Sequence, residues 1–246
     1  MNPPNQLRER VYASYVSSRH ASLAAASLDP LASRGPYLAM LVRRHFPTDR
    51  SARILDLGCG NGAIIQAARR YGYHNVTGVD RSSEQVADAE RLGIDGVRQG
   101  GIQEAIAAAD AESLDAVITF DVIEHLSREE LVPLVDAIHR ALRPGGCWLV
   151  HVPNAESPFF GRIRYGDITH EQAFTQSSLG QLVRSSGFRR LDCYEDTPIV
   201  HGARSALRFA VWKVVRGMLR VYLAAETGLA DGSVILSQNL LAKAIK

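Results

Sequence analysis

Apolar positions along the chain fall into short, β-branched runs separated by stretches of helical period. Ala52–Leu57 (ARILDL) predicts a strand ending in a glycine cluster, and Ala63–Tyr71 a helix. Asn75–Asp80 predicts a second strand. Ser82 caps a helix running to Leu92, with Glu84 and Gln85 in its first turn. Gly96–Gln99 and Leu114–Phe120 predict strands three and four. Ser127-x-x-Glu130 is a capping box that opens a helix to about Leu142. Arg143-Pro144-Gly145-Gly146 then stops the helix and turns the chain into strand Cys147–Val152. This alternation predicts an α/β domain with a mostly parallel sheet between two helical layers. Strands in such a sheet are buried on both sides, hence their nearly continuous apolar character.

Beyond Pro153 the regularity breaks. Asn154–Thr175 is aperiodic and rich in Gly, Pro, aromatic and polar residues, and a loop of that length is usually functional or disordered. Thr175–Ser186 predicts a helix, Phe188–Asp196 a strand, Ala203–Glu226 a long helix and Ser233–Ala242 (SVILSQNLLA) the closing strand. Upstream, Gln6–Arg19 and Pro36–Phe46 predict helices that pack over an open edge. With neither an internal repeat nor a low-complexity linker, residues 1–246 read as a single domain.

Composition narrows the class. Lys and Arg number 28 against 26 Asp and Glu, a net charge of +2, so the basic excess of a nucleic-acid binder is missing and no nucleic-acid partner is expected. Cys59, Cys147 and Cys193 are too few and too scattered for a disulfide framework or a zinc cluster. Cys147 and Cys193 read as small core residues. The N-terminal MNPPNQLRER lacks the apolar stretch of a secretory signal, and no apolar run reaches the ~20 residues that cross a bilayer. A cytoplasmic setting is the resulting expectation, peripheral at the inner membrane face as its variant.

The strongest chemical signal is Ile54-Leu55-Asp56-Leu57-Gly58-Cys59-Gly60-Asn61-Gly62, a strand running into a glycine turn that opens a helix. Glycines let backbone approach a ligand closely, and the helix N-terminus presents N–H groups to it. Gly58, Gly60 and Ala63 also satisfy a dinucleotide fingerprint, and Asp80 at the end of the second strand suits ribose hydroxyls. Asp56 separates the two readings: a carboxylate just before the turn opposes a pyrophosphate and suits a ligand bearing an amino group. These residues resemble motif I of the class I S-adenosylmethionine-dependent methyltransferases. The resemblance continues through Gly78-Val79-Asp80, Asp121-Val122-Ile123-Glu124-His125-Leu126 and Leu142-Arg143-Pro144-Gly145-Gly146.

That resemblance implies a Rossmann-like, seven-stranded, mostly parallel sheet with a reversed last strand, and a helical insertion before it. It implies N-terminal helices over the cofactor side (1–50), a cofactor core (51–153), an acceptor loop (154–175) and the insertion (197–232). It implies S-adenosylmethionine held by Asp56, Gly58, Cys59, Gly60 and Gly62 around the methionine portion, Asp80 at the ribose and Arg81 beside the adenine. Gly101 and Ile102 would border the base, with Phe120 and Asp121 along the cofactor. The family's acid after strand three is missing, since the chain reads Gln99-Gly100-Gly101-Ile102-Gln103 there.

On the acceptor side, Asp121-x-x-Glu124-His125 and Thr169-His170-Glu171-Gln172-Ala173-Phe174 resemble elements of quinone-biosynthesis O-methyltransferases and small-RNA terminal 2′-O-methyltransferases. In metal-dependent members the matching residues hold a divalent ion, which would make Asp121, Glu124, His125 and His170 ligands of Mg²⁺, Mn²⁺ or Zn²⁺. A metal-free alternative makes His170, with His125, the base that removes a hydroxyl proton. In a third, both histidines are structural. His45, His74 and His139 read as helix-end or surface residues and His151 as a satisfied core residue; His20 and His201 are unassigned.

Ala203–Glu226 carries Arg204, Arg208, Lys213, Arg216 and Arg220 on one half and Leu207, Ala210, Val211, Val214, Met218, Val221 and Ala225 on the other. It reads as a helix packed on its own sheet, a homodimer contact or a peripheral membrane contact. With the loop, it gives a softer resemblance to bacterial glycan and lipid-linked-sugar methyltransferases. O-methylation of a small-molecule, sugar or lipid-linked glycan hydroxyl is the resulting expectation, with a quinol or catechol as the alternative acceptor. No Asn/Asp-Pro-Pro-aromatic tetrad follows strand four, which disfavours protein and nucleic-acid acceptors. A nicotinamide-linked oxidoreductase and a non-catalytic binding protein are the readings from other classes.

Overall fold

The computed structural model describes residues 7, 8, 10–12, 30–228 and 234–246. Seven strands form one sheet: β1 Ile54–Leu57, β2 Val76–Asp80, β3 Val97–Gln99, β4 Leu114–Phe120, β5 Leu142–Pro153, β6 Arg190–Glu195 and β7 Asn239–Ile245. They lie in the order β3-β2-β1-β4-β5-β7-β6. The β1–β5 neighbours pair in parallel, and β7 runs antiparallel to both β5 and β6. This is the mostly parallel sheet with a reversed last strand that the sequence implied. Apolar clusters pack on it, one around Trp148, Val117 and Leu134 and another around Ile65, Val76 and Leu41.

The helices are α1 Pro30–His45, α2 Ala63–Arg70, α3 Ser83–Arg91, α4 Ile102–Ala107, α5 Arg128–Ala141, α6 Phe160–Arg164, α7 Gln176–Ser185 and α8 Ala203–Thr227. Ser82 accepts a bond from Gln85 N at the head of α3, and Ser127 with Glu130 completes the expected capping box on α5. Helix α1 begins ahead of the predicted Pro36 and carries that proline inside it. Residues 7, 8 and 10–12 are helical; the rest of the predicted Gln6–Arg19 helix, His20 and Ser233 lie outside the described residues.

Two boundaries depart from expectation. Arg143–Gly146 is no loop before the strand but a bulge within β5: Leu114 pairs with Leu142 and Ala116 with Cys147, and Gly145 turns through φ +79°. The closing strand starts at Asn239, not Ser233. The apolar run ahead of it bonds to side chains instead of a neighbouring strand: Asn154 donates to the carbonyls of Ile235 and Ser237, and Leu236 N–H donates to Glu195. Backbone groups satisfied that way need no ladder.

Helix α8, between β6 and β7, inverts the ordinary arrangement. Its inward stripe is Ser205, Phe209, Trp212, Arg216, Leu219 and Leu223, all buried or half-buried. Arg216 at its centre pairs with Glu195 and donates to Val234 O. The apolar half noted in the sequence faces outward.

Candidate active site

Strand β1 delivers the chain into three left-handed glycines, Gly58 (φ +76°), Gly60 (φ +55°) and Gly62 (φ +80°). Gly58 is sterically obligatory as well: a Cβ there would sit 2.5 Å from a Val122 methyl. The turn is fixed by Gly58 and Cys59 N–H groups donating to Val79 O and by Gly60 N–H donating to Asp80 at 2.7 Å. The other Asp80 oxygen accepts from Ser82 N–H at 2.9 Å, so this carboxylate clamps the glycine turn to the head of α3. Cys59 packs its sulfur against Gly78, where a Cβ would lie 2.7 Å away, and burial pushes its thiol up, away from thiolate chemistry.

Asp56 is fully buried in β1, and neither carboxylate oxygen has a hydrogen-bond partner. Burial, with the Asp80 charge nearby, pushes it up to about 8. An orphaned pair of buried acceptors at the mouth of a glycine turn fits a ligand that brings a cationic or N–H donor. Arg81 is exposed beside this cradle, Gly101 caps α4, and Ile102 packs against the core.

At the sheet's C-terminal edge, Phe120 of β4 and His151 of β5 are register partners, and their rings stack at 4.0 Å. His151 is 3 % exposed and lies between two carboxylates, 2.5 Å from Asp121 and 3.4 Å from Asp196. Its burial opposes a charge, but the two acids prevail and push it up to about 10. Burial would raise the Asp121 carboxyl; the imidazolium outweighs it and holds Asp121 below the usual range. Asp121 sits at φ +57°, an uncommon non-glycine conformation. Its pairing with His151 corrects one expectation, since a carboxylate turned to His151 is not gathered with the proposed metal ligands. His151 is thus the satisfied core residue expected, with both ring nitrogens partnered by carboxylates.

Because His151 is protonated well above the histidine norm of ~6.5, its contribution to stability is full below pH ~6.5 and fades as pH rises toward 10. Calorimetry should therefore show wild type more stable than His151→Asn by about 1–3 kcal/mol near pH 6.5, discounted for the solvent at Asp121. The gap should close by pH 10. A gap independent of pH would dismiss the ion pair.

A third group joins two distant segments. The 3₁₀ turn Ile123–His125 follows β4, and its Glu124 carbonyl accepts from both Glu171 and Gln172 N–H. That clamp, with Phe174 bonded to Pro153 and Ala155, lays the loop after β5 against the turn. The rings of His125 and His170 consequently lie 4.6 Å apart. The Asp167 carboxylate accepts from Thr169 Oγ1 at 2.6 Å, so Thr169 accepts from His125 Nδ1 at 2.9 Å. His170 Nδ1 donates to the Ile163 carbonyl at 3.0 Å. Each of these bonds places a proton on Nδ1 of its ring. Arg8 donates to His125 O and pairs with Glu130, and Tyr12 packs edge-on to His125, tying the first described helical residues to this place.

Glu124, 1 % exposed, has one carboxylate oxygen without a partner, and its burial, with Asp121 nearby, keeps it well above the normal carboxyl range. Donor atoms of Glu124, His125 and His170 lie within 4.8 Å of one another. Three of the four expected ligands thus gather, and their mixed oxygen and nitrogen set suits a divalent cation. His45 ends α1 as expected but is buried rather than superficial, and burial pulls it down to about 4.

A family profile described as a methyltransferase domain matches residues 32–192. Curated relatives include the ubiquinone biosynthesis O-methyltransferase of Maricaulis maris, 34 % identical over 114 residues, 44 % of this chain and 43 % of the relative. A probable S-adenosylmethionine-dependent methyltransferase of Mycolicibacterium smegmatis is 34 % identical over 156 residues, 61 % of this chain and 56 % of the relative. The chain thus spans about half the length of these relatives. Among solved structures, a S-adenosylmethionine-dependent methyltransferase from Archaeoglobus fulgidus aligns with 89 % of this chain and 97 % of its own at 20 % identity, with a TM-score of 0.65. At that identity the agreement is one of fold.

Proposed function

We propose, from the premise that this chain belongs to the class I S-adenosylmethionine-dependent methyltransferases, that it methylates a hydroxyl group of a small-molecule, sugar or lipid-linked glycan acceptor. The observation that carries the reading is the meeting of His125 and His170 at the sheet edge that also holds the glycine cradle. S-adenosylmethionine, when bound, supplies a methyl group already activated on a sulfonium. What remains for the protein is orientation, exclusion of water and the acceptor's proton.

The division of labour follows from the site. Asp56 answers the amino group of the methionine portion, the glycine turn admits it at close range, and Asp80 offers its remaining lone pairs to the ribose diol. Phe120 and Asp121, held by His151, would line the bound cofactor. His170 Nε2 takes the hydroxyl proton, while Asp167 and Thr169 hold His125 in the matching tautomer beside it. A second reading, favoured by the unpartnered Glu124 oxygen, has Glu124, His125 and His170 hold a divalent ion that would lower the hydroxyl's pKa. The name of the Maricaulis relative supports a hydroxyl acceptor and keeps a quinol or catechol as the alternative. A nicotinamide-linked reading has nothing comparable behind it.

Labelled S-adenosylmethionine should transfer its methyl to hydroxyl-bearing acceptors in pools of sugars, glycolipids and catechols. Label appearing on amines alone would dismiss the proposal. Chelator sorts the two readings: undiminished transfer keeps the histidine base, and loss restored by Mg²⁺ or Mn²⁺ selects the ion.

A further inference from the structure

We infer that α8 is a docking surface for an anionic lipid bilayer, on which the protein lies without crossing it. The helix runs 25 residues, roughly 37 Å. Its outward ridge repeats every three or four residues, as its inward stripe does. Leu207 (68 %), Val211 (55 %), Val214 (63 %), Met218 (59 %), Val221 (71 %) and Tyr222 (63 %) all stand in solvent. Scattered exposed apolar residues are ordinary, but a continuous apolar ridge along a whole helix marks a contact surface.

The flanking charges identify the occupant. Arg204 and Arg208 lie along one edge of the ridge, Lys213 and Arg220 along the other, and the first acid in the helix is Glu226. All four cations are exposed. An apolar ridge bordered on both sides by long cationic side chains matches a bilayer interface: the ridge enters the acyl boundary and the cations reach up to phosphate headgroups. A second copy fits poorly, because a two-fold contact would set these cationic borders against each other. No helix among the described residues, α8 included, is long and apolar enough to cross a membrane. The anchoring of the helix supports the same orientation: Arg216 is bound to Glu195 on the opposite face and keeps the ridge outward. Arg208 and Trp212 also line a cleft with Tyr37 and Asp196, so docking brings that cleft, and with it one of the two carboxylates on His151, toward the headgroup layer.

Docking is independent of acceptor chemistry and is read without turnover. The full chain should float with vesicles containing phosphatidylglycerol, stay behind with pure phosphatidylcholine, and release as salt is raised. Arg204→Gln with Lys213→Gln, one cation from each border, should weaken partitioning roughly 10–30-fold, at about 1 kcal/mol per cation. Val211→Asp with Met218→Asp should abolish flotation, circular dichroism confirming that the variant is folded; if it is not, the charge variant carries the test. Failure of the wild type to float with anionic vesicles would overturn the inference. So would flotation unchanged in a folded variant, or a vesicle-free dimer in sedimentation that the aspartates dissociate.

Discussion

His170→Ala is expected to lower turnover by about 10²–10⁴-fold, the usual worth of a positioned general base. S-adenosylhomocysteine affinity should be unchanged, because the cradle of Asp56, the glycines and Asp80 is built on β1 and β2, while His170 sits in the loop after β5. Separation of the two effects is the diagnostic part. The Ile163 carbonyl fixes the His170 proton on Nδ1, so His170→Gln, which offers no basic nitrogen there, should be nearly as slow. Thr169→Val should cost less: it frees the His125 ring from Asp167 but leaves His170 in place. Single-turnover rates with a competent acceptor check the series. Full activity in His170→Ala and in His125→Ala would leave orientation alone as the source of rate and remove the proton-transfer mechanism.

Asp56→Asn should trade binding for stability. Without ligand, Asp56 is a carboxyl with no partner, pushed up to about 8 by burial and by Asp80. An acid raised in the folded state is penalised as it ionises, so its cost to folding begins above the unfolded value near 4 and is complete above about 8. The neutral amide escapes that cost. The ligand-free variant should therefore melt several degrees higher than wild type at pH 8, with the advantage shrinking toward pH 4. Its affinity for S-adenosylmethionine should fall roughly 10–150-fold, the loss of a charge-assisted hydrogen bond worth about 1.5–3 kcal/mol. Calorimetric titration and thermal melts across pH read both halves. Unchanged affinity would dissociate Asp56 from the ligand's amino group, and a melting shift indifferent to pH would dismiss the burial cost of its carboxylate. Tension of this sort, a buried group left unsatisfied until a ligand arrives, is a common origin of stability–activity trade-offs.

The sheet and cradle were legible because their signals are local. The capping box at Ser127, the Ser82 cap and the three glycines each fix backbone within a few residues of themselves. Asp80 was half legible: its position at the end of β2 was clear, but its clamp on Gly60 and Ser82 depends on how the turn closes over it. His151 was legible as a satisfied core residue, but its partners were not: Asp121 and Asp196, one from the end of β4 and one beyond β6, are brought to it only by the folded sheet. The same long-range pairing took Asp121 away from the metal-ligand set. In α8 the helical period separated two faces correctly, but period alone does not say which face turns inward. The buried Arg216–Glu195 pair decides that, and no pattern along the helix announces it.

The place of β7 bears on how the molecule is assembled. It lies between β5 and β6, pairing Pro153 with Asn239 on one side and Glu195 with Leu240 on the other. β6 therefore has no route into the sheet except through a strand that follows it in the chain. Until Asn239–Ile245 arrive, β5 presents an open edge of buried, apolar sequence, and the loop carrying His170 lacks the Asn154 tether to Ile235 and Ser237. Non-local closure of this sort is slow, and an unpaired edge invites aggregation meanwhile. During synthesis the β1–β5 half can consolidate first, whereas the loop carrying His170 gains its tether only with the segment that leads into β7.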